Sequence, residues 1–311
     1  MIGHAEVEAA AARIAVHVRR PPLVAATALR QSPMAAPLFL KLECLQPTGS
    51  FKDRGAMNRL LTTPPQTLAN GIVTASGGNH GLAVARAASV ARVCATVFVS
   101  ETTAPYKIAK LEAWGASVRR VQGQWDIARD QALAFADERG ATFFHPFADP
   151  MIVAGQGTIG LELLEDLPDV DVVLVAIGGG GLISGLAIAL RAFRPQVRII
   201  GVEPTGSPTL RACLDAGRLV RLDMVTSRVA TMACAQTDER IFDLVRRMVD
   251  DVVLVSDDDL LAAARWLWFE LGIAADLSGA AGVAALRAGG LSIRADQKVC
   301  TLVCGAGTDG L

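Results

Sequence analysis

The chain has 311 residues, 51% of them hydrophobic, and a formal net charge of −1 at neutral pH. That length suits one large or two modest domains with a real core, and the near-zero charge leaves no electrostatic footprint for nucleic acid or an anionic membrane surface. The apolar stretches are short and broken by Gly, Pro and charge, so none reaches the roughly 20 apolar residues of a membrane span.

Residues 1–13 carry Glu6 and Glu8 and no apolar run, so no signal peptide is expected. Residues 43–55 read Glu-Cys-Leu-Gln-Pro-Thr-Gly-Ser-Phe-Lys-Asp-Arg-Gly. Residues 47–50 predict a turn, with Ser50 as N-cap of a helix over residues 51–61. Lys52 then lies in a first helical turn, where the dipole disfavours a cation. Its pKa is expected to fall, leaving more free amine, the form that attacks an aldehyde. A lysine at a helix start is by itself usually just solvated. The chain has only five lysines (Lys41, Lys52, Lys107, Lys110 and Lys298), so a chemistry that needs one has few candidates.

Short β-branched runs then alternate with segments of helical period. Strands are predicted near 72–76, 94–100, 117–122, 141–145, 170–177, 197–202, 252–256 and 298–304. Helices are predicted near 78–90, 106–114, 125–139, 152–164, 182–193, 208–216 and 257–271. Such alternation predicts parallel sheet with helices on both faces, in one sheet or two. Residues 70–71 and 145–150 are seams around a smaller inserted unit. Residues 219–239 read as loop and short helix.

Three glycine-rich segments interrupt this order. Residues 74–81, Thr-Ala-Ser-Gly-Gly-Asn-His-Gly, join a strand to a helix and offer backbone amides, Ser76, Asn79 and His80 to a carboxylate or phenolic oxygen; a capped helix start needs only one such residue. Residues 155–160 satisfy G-x-G-x-x-G, the basis of a rival reading as an NAD-binding protein. No clean strand precedes them and no acidic residue closes the unit about 20 positions on, so helix-start chemistry or close packing is the better reading. Gly178, Gly179, Gly180 and Gly181 follow the strongest apolar strand and precede a helix. Their N–H groups can converge at a helix N-terminus, as a phosphate monoester requires, whereas a plain turn needs one or two glycines. Loops at the carboxyl ends of parallel strands are where α/β folds bind ligands.

The six cysteines are scattered without a C-x-x-C pair, and the four histidines form no metal-like spacing with them. Free thiols in a reducing compartment, the cytoplasm, are expected.

Together the motifs resemble the threonine/serine dehydratase family of fold-type II (tryptophan synthase beta-like) pyridoxal-phosphate (PLP) enzymes along essentially the whole chain. The resemblance rests on residues 45–52, Ser76-Gly-Gly-Asn-His-Gly81, His145-Pro-Phe, residues 154–162, Gly178-Gly-Gly-Gly-Leu-Ile-Ser-Gly185 and Gly201-Val-Glu-Pro204. It implies an α/β fold of two domains, each a mostly parallel twisted sheet flanked by helices. Residues 1–46 plus 146–311 would form the large PLP-binding domain and residues 47–145 the small one. It further implies that Lys52 bears the cofactor and then removes the substrate Cα proton, that Phe51 packs on the pyridine ring, and that Asn79 bonds its phenolic oxygen. Gly178, Gly179, Gly180 and Gly181 would grip the phosphate, and Cys304 would face the ring nitrogen. Ser76, Gly77, Asn79 and His80 would line the pocket for the substrate carboxylate.

The implied reaction is β-elimination from a small hydroxy-amino acid such as L-threonine or L-serine, giving a 2-oxo acid and ammonia, by a homodimer. β-Replacement, or dehydration of an unusual substrate such as 3-hydroxyaspartate, is the alternative. The chain departs from the family in four places. Racemising relatives carry Ser where Gly77 stands, which argues against racemisation. Asp276-Leu277 replaces the usual Glu-Pro, and residues 227–237 lack an Ala-Asp-Gly loop. Of a cation-binding Glu and Asp pair only Glu203 is present, with Thr209 at the second position, so no metal is expected and Glu203 is a weak candidate. Ending at residue 311, the chain is expected to lack the C-terminal domain of isoleucine-regulated relatives.

Overall fold

A computed structural model describes residues 2–123 and 125–311. Its strands are β1 (Leu23–Ala25), β2 (Leu38–Lys41), β3 (Ile72–Ala75), β4 (Ala95–Ser100), β5 (Ser117–Val121), β6 (Thr142–Phe143), β7 (Val172–Ala176), β8 (Arg198–Pro204), β9 (Asp251–Val255) and β10 (Val299–Leu302). The helices of the first half are α1 (His4–Ile14), α2 (Lys52–Leu61), α3 (Pro65–Leu68), α4 (Asn79–Ala91), α5 (Pro105–Ala113) and α6 (Trp125–Arg139). Those of the second half are α7 (Pro150–Asp166), α8 (Gly181–Phe193), α9 (Thr209–Ala216), α10 (Glu239–Met248), α11 (Asp257–Leu271) and α12 (Ala281–Ala288).

The strands form two sheets. One has the order β1-β2-β10-β7-β8-β9 and is parallel except for the β1–β2 pair; the other, β5-β4-β3-β6, is parallel throughout. The chain leaves the first sheet after β2, builds the second, and returns through α7. β7 sits centrally, and all five of its residues (VVLVA) are buried, as a strand covered on both faces requires. Because β2, β7 and β10 run parallel, their carboxyl ends open on the same edge of the sheet.

Local chemistry explains most boundaries. Asp149 caps α7 by accepting from the Met151 and Ile152 N–H groups at 2.7 and 3.3 Å, with Pro150 at the first helical position. Ser256 and Asp259 form a capping box on α11. At α2 the expectation is corrected: Phe51, not Ser50, is the N-cap, and the buried Ser50 hydroxyl has no hydrogen-bond partner among the described residues. Asp53 does the organising instead, since its carboxylate reaches back to accept from the Thr48 N–H and hydroxyl at 2.8 and 2.9 Å. The segment 219–238 contains no helix, and α10 follows it.

The glycines of residues 155–160 lie inside α7, not in a phosphate loop. A Cβ on Gly155 would stand 2.7 Å from the Arg54 carbonyl oxygen, and one on Gly157 2.7 Å from that of Gly185. These positions let α7 approach α2 and α8 closely, which is the packing reading of the motif.

Candidate active site

Lys52 begins α2, and its Nζ donates to the Pro146 carbonyl at 2.6 Å. Burial lowers its pKa to about 8. The fall matches the expected direction, and its leading cause is removal from water. Phe51 is buried, with its ring centroid 5.1 Å from the same Nζ.

Pro146 and its neighbours tie this amine to the glycine turn. His145 Nδ1 accepts from the Ala148 and Phe147 N–H groups at 2.9 and 3.3 Å, which folds residues 145–148 into a tight turn. Burial lowers the His145 pKa to about 4, so the ring stays neutral with its proton on Nε2. The Phe147 ring lies where a Gly179 side chain would start, 2.2 Å from an ideal Cβ, and the Phe147 carbonyl oxygen is 2.6 Å from a Cβ at Gly181. Gly180 has φ +90°, a conformation that favours glycine, and Thr237 Oγ1 donates to the Gly179 carbonyl at 3.0 Å. The N–H groups of Gly178, Gly179 and Gly180 donate to no acceptor among the described residues and sit at the start of α8.

The third loop approaches from the other sheet. Ser76 Oγ accepts from the Gly78 N–H at 3.3 Å, and Gly81 packs under the Ser76 carbonyl, only 2.0 Å from where its Cβ would be. A side chain at Gly77 would meet Thr103 Cγ2 and Oγ1 at 2.8 Å. Thr231 spans the gap between the two loops: its carbonyl oxygen is 2.9 Å from a Cβ at Gly178, and its methyl 4.0 Å from one at Gly78.

Asn79 and His80 are more committed to protein contacts than the sequence suggests. Asn79 Nδ2 donates to Asp276 Oδ2 at 3.0 Å. The buried His80 ring has its Nε2 3.1 Å from the Phe144 carbonyl oxygen, which fixes the proton there, and burial lowers its pKa to about 3. Cys304 follows β10; its carbonyl accepts from the Phe51 N–H at 3.1 Å, and its thiol lies 3.7 Å from Ser278 Oγ. Burial raises the thiol pKa far above its usual range, so it stays protonated.

Glu203 is engaged by protein donors. Its two oxygens accept from the Leu210 and Arg211 N–H groups at 2.8 and 2.9 Å, capping α9, and burial raises its pKa to about 7. Thr209 donates its hydroxyl to the Cys234 carbonyl, to which Ser207 Oγ also donates at 3.0 Å. Among the described residues no three His, Cys, Asp or Glu side chains group as metal ligands.

Lys52, the 76–81 loop, the 178–181 turn and Cys304 thus converge from four separate parts of the chain. Pro146, Phe147, Thr231, Asp276 and Ser278 complete the surroundings. Of these, the His145-Pro-Phe motif and Asp276, which stands in place of the usual Glu-Pro, carried a sequence signal. The residues fit a phosphorylated aldehyde cofactor: a buried amine of lowered pKa stands beside unengaged N–H groups at a helix start, where any side chain would collide.

The family model described as "Pyridoxal-phosphate dependent enzyme" matches residues 14–305. The chain belongs to this family. It is a PLP-dependent lyase of the threonine/serine dehydratase group. It is 38% identical over 302 residues to an L-threonine ammonia-lyase of Geobacter sulfurreducens, covering 97% of this chain and 75% of that one. Among solved structures, a threonine deaminase from T.th. superposes with a TM-score of 0.91 at 35% identity, over 98% of both chains. Maize serine racemase superposes with a TM-score of 0.93 at 31% identity, over 97% of this chain and 93% of that one.

Proposed function

We propose that this enzyme eliminates water from a small hydroxy-amino acid such as L-threonine or L-serine, giving a 2-oxo acid and ammonia. The observation that carries this reading is the placement of the Lys52 amine, held at 2.6 Å by Pro146 and one residue from the ring that packs into the 178–181 turn. Bound PLP supplies an electrophilic carbon and an electron sink for the charge left at the substrate Cα.

The protein's residues supply the rest. Lys52 holds the cofactor and takes the Cα proton, a role suited by an amine whose pKa lies near the working pH. The N–H groups of Gly178, Gly179, Gly180 and Gly181 bind the phosphate at the α8 N-terminus. Asn79 and Phe51 would orient the ring, and Cys304, a protonated thiol and a weak acid, would face its nitrogen without protonating it. Ser76, Gly77, Asn79 and the backbone at His80 receive the substrate carboxylate. Gly77 offers no base on the opposite face, and Thr103 fills the space one would need. Elimination is therefore favoured over the racemisation named for the maize relative.

Residues 47–145 form the small domain in this reading, supported by the confinement of β3 to β6 to that stretch. A cytoplasmic homodimer is supported by six free cysteines and by Trp268 and Phe269, exposed together on α11. No helix among the described residues is long and apolar enough to cross a membrane.

The test is to supply holoenzyme with L-threonine, L-serine, their D-forms and 3-hydroxyaspartate, following 2-oxo acid release with Lys52→Ala as control. Oxo acid from an L-hydroxy-amino acid, lost in Lys52→Ala, supports the proposal. Cofactor absorbance with no oxo acid from any substrate moves the function to β-replacement.

A further inference from the structure

Asp276 is a buried carboxylate to which the reaction above assigns no role. It lies between α11 and α12, and its surroundings are unusually specific. Oδ1 accepts from Ser278 Oγ at 2.7 Å and from the Gly279 N–H at 2.6 Å; Oδ2 accepts from Asn79 Nδ2 at 3.0 Å. Its own N–H donates to the Gly305 carbonyl at 2.9 Å, and Ala275 and Ala306 form a β-bridge beside it.

A carboxylate that merely caps a turn uses one oxygen on nearby backbone, as Oδ1 does with Gly279. The second oxygen is spent on a side chain 197 positions away, on the first residue of a helix belonging to the other sheet. The space around it is also built for this one side chain. An ideal Cβ on Gly305 would stand 2.4 Å from Oδ2, and one on Gly307 2.8 Å from the Asp276 Cβ. Glycine at both positions leaves room for the Asp276 carboxylate.

We propose that Asp276 is a positioning residue for the cofactor: one oxygen fixes the Asn79 amide and the other fixes the Ser278 hydroxyl beneath Cys304. This rests on the reading that Asn79 and Cys304 face the two sides of the PLP ring. Ser278, whose own proton goes to Asp276, is left as the acceptor for the Cys304 thiol at 3.7 Å, so one carboxylate orients the side chain at each side. An ionised carboxylate is acceptor-only and matches three donors here. Replacing it with an amide sets an NH2 group against a donor, and Asn79 must turn over or lose its partner.

The experiment compares Asn79→Ala, Asp276→Asn and the double variant. Cofactor dissociation is read by equilibrium dialysis, and the visible absorption band of the bound cofactor is recorded for each. Asp276→Asn is expected to weaken cofactor binding about tenfold or more and to alter the band. The double variant should lose less than the sum of the two single losses, because the share of the Asp276 effect that runs through Asn79 is already gone. Additive losses, or an unchanged band and affinity in Asp276→Asn, overturn the inference while leaving the placement of Asn79 intact. An Asn79→Ala protein that binds and absorbs as the parent does overturns that placement, and the inference with it. If Asp276→Asn does not accumulate as folded protein, Ser278→Ala removes only the hydroxyl donor. An altered band there supports the proposal, and an unaltered one overturns it.

Discussion

Burial of Lys52 is unfavourable to the fold at neutral pH. Its amine titrates at about 8 in the folded chain and near 10.4 when unfolded. Below pH 8 both states hold the proton, and the folded state keeps it in a desolvated place, at a cost of roughly 2–3 kcal/mol. As pH rises from 8 to about 10.4 the unfolded chain holds more protons than the folded one, so stability increases and the cost disappears. Lys52→Met retains most of the side-chain length without the charge. The cofactor-free variant should therefore resist urea better than the parent at pH 7, and the difference should shrink steadily towards pH 10. A Lys52→Met protein equal to or weaker than the parent at pH 7 would mean that the amine is adequately solvated by Pro146.

Lys52 was legible because its setting is local: Pro47 to Asp53 write a turn and a helix start into consecutive residues. Asn79 was legible as a polar group at a helix start, but its pairing with Asp276 was not, since nothing in the sequence near either residue announces a contact of 197 positions. The error over Ser50 has the same origin. A serine before a helix is a good cap on average, yet here Asp53 occupies the turn from within the helix, and Ser50 Oγ is left buried beside the Ser50–Gly305 bridge.

At the scale of elements, the pair α7 and α8 shows how glycine reverses an ordinary expectation. Gly157→Ala in a helix interior gains about 1 kcal/mol of helix propensity. Here the new Cβ would lie 2.7 Å from the Gly185 backbone oxygen and 2.8 Å from the Val7 side chain. Backbone cannot move aside as a flexible side chain can, and overpacking of this kind costs about 1–3 kcal/mol. Gly157→Ala should thus lower the urea midpoint, whereas a net gain would show that the two helices separate freely.

The Ser207–Thr209 pair is a second device on this scale. Their hydroxyls hold the Cys234 carbonyl, and Ser207 Oγ also accepts from the Cys234 N–H at 3.0 Å. This pins the helix-free 219–238 segment, whose Thr237 in turn holds the 178–181 turn. The α9 N–H groups engage Glu203 and two hydroxyls engage the Cys234 carbonyl, so we expect no divalent cation to be held between them. Chelator treatment of the holoenzyme should leave its melting temperature and turnover unchanged, while Thr209→Val should increase hydrogen exchange across residues 227–238. The strands and helices that the alternation predicts stand within a few residues of their expected places, but α1 and the strongly amphipathic α10 are not among the predicted helices. β1 and β2, of three and four residues, were missed because so short a run has no period to detect. α12 was missed because its Ala-rich face is buried all round.

Across the whole molecule, the two sheets meet through α2, and a buried charge network fastens that helix. Arg54, two positions after Lys52 and 1% exposed, bonds both oxygens of the fully buried Glu43 at 2.7 and 2.8 Å and both of Glu162 at 2.6 and 2.9 Å. Lys41, also fully buried, sits 2.8 Å from Glu162 and 3.3 Å from Asp166. The network joins α2 to β2 and α7, so it bears on how the lysine-bearing helix is held against the first sheet. Its components can be ranked by burial. Glu43→Gln keeps the shape but leaves Arg54 short of a counter-charge in a place without water, and breaking a buried pair from one side costs about 3–5 kcal/mol. Arg20–Glu165 is an equally short pair at 2.6 Å, yet its side chains are 51% and 65% exposed, and such pairs contribute about 1 kcal/mol or less. Urea unfolding of Glu43→Gln and Glu165→Gln should therefore differ by more than the error of either measurement, with Glu165→Gln close to the parent. Equal losses in the two variants would mean that distance, not desolvation, sets the strength of these pairs, and the buried network would lose its place as the fastening between the sheets.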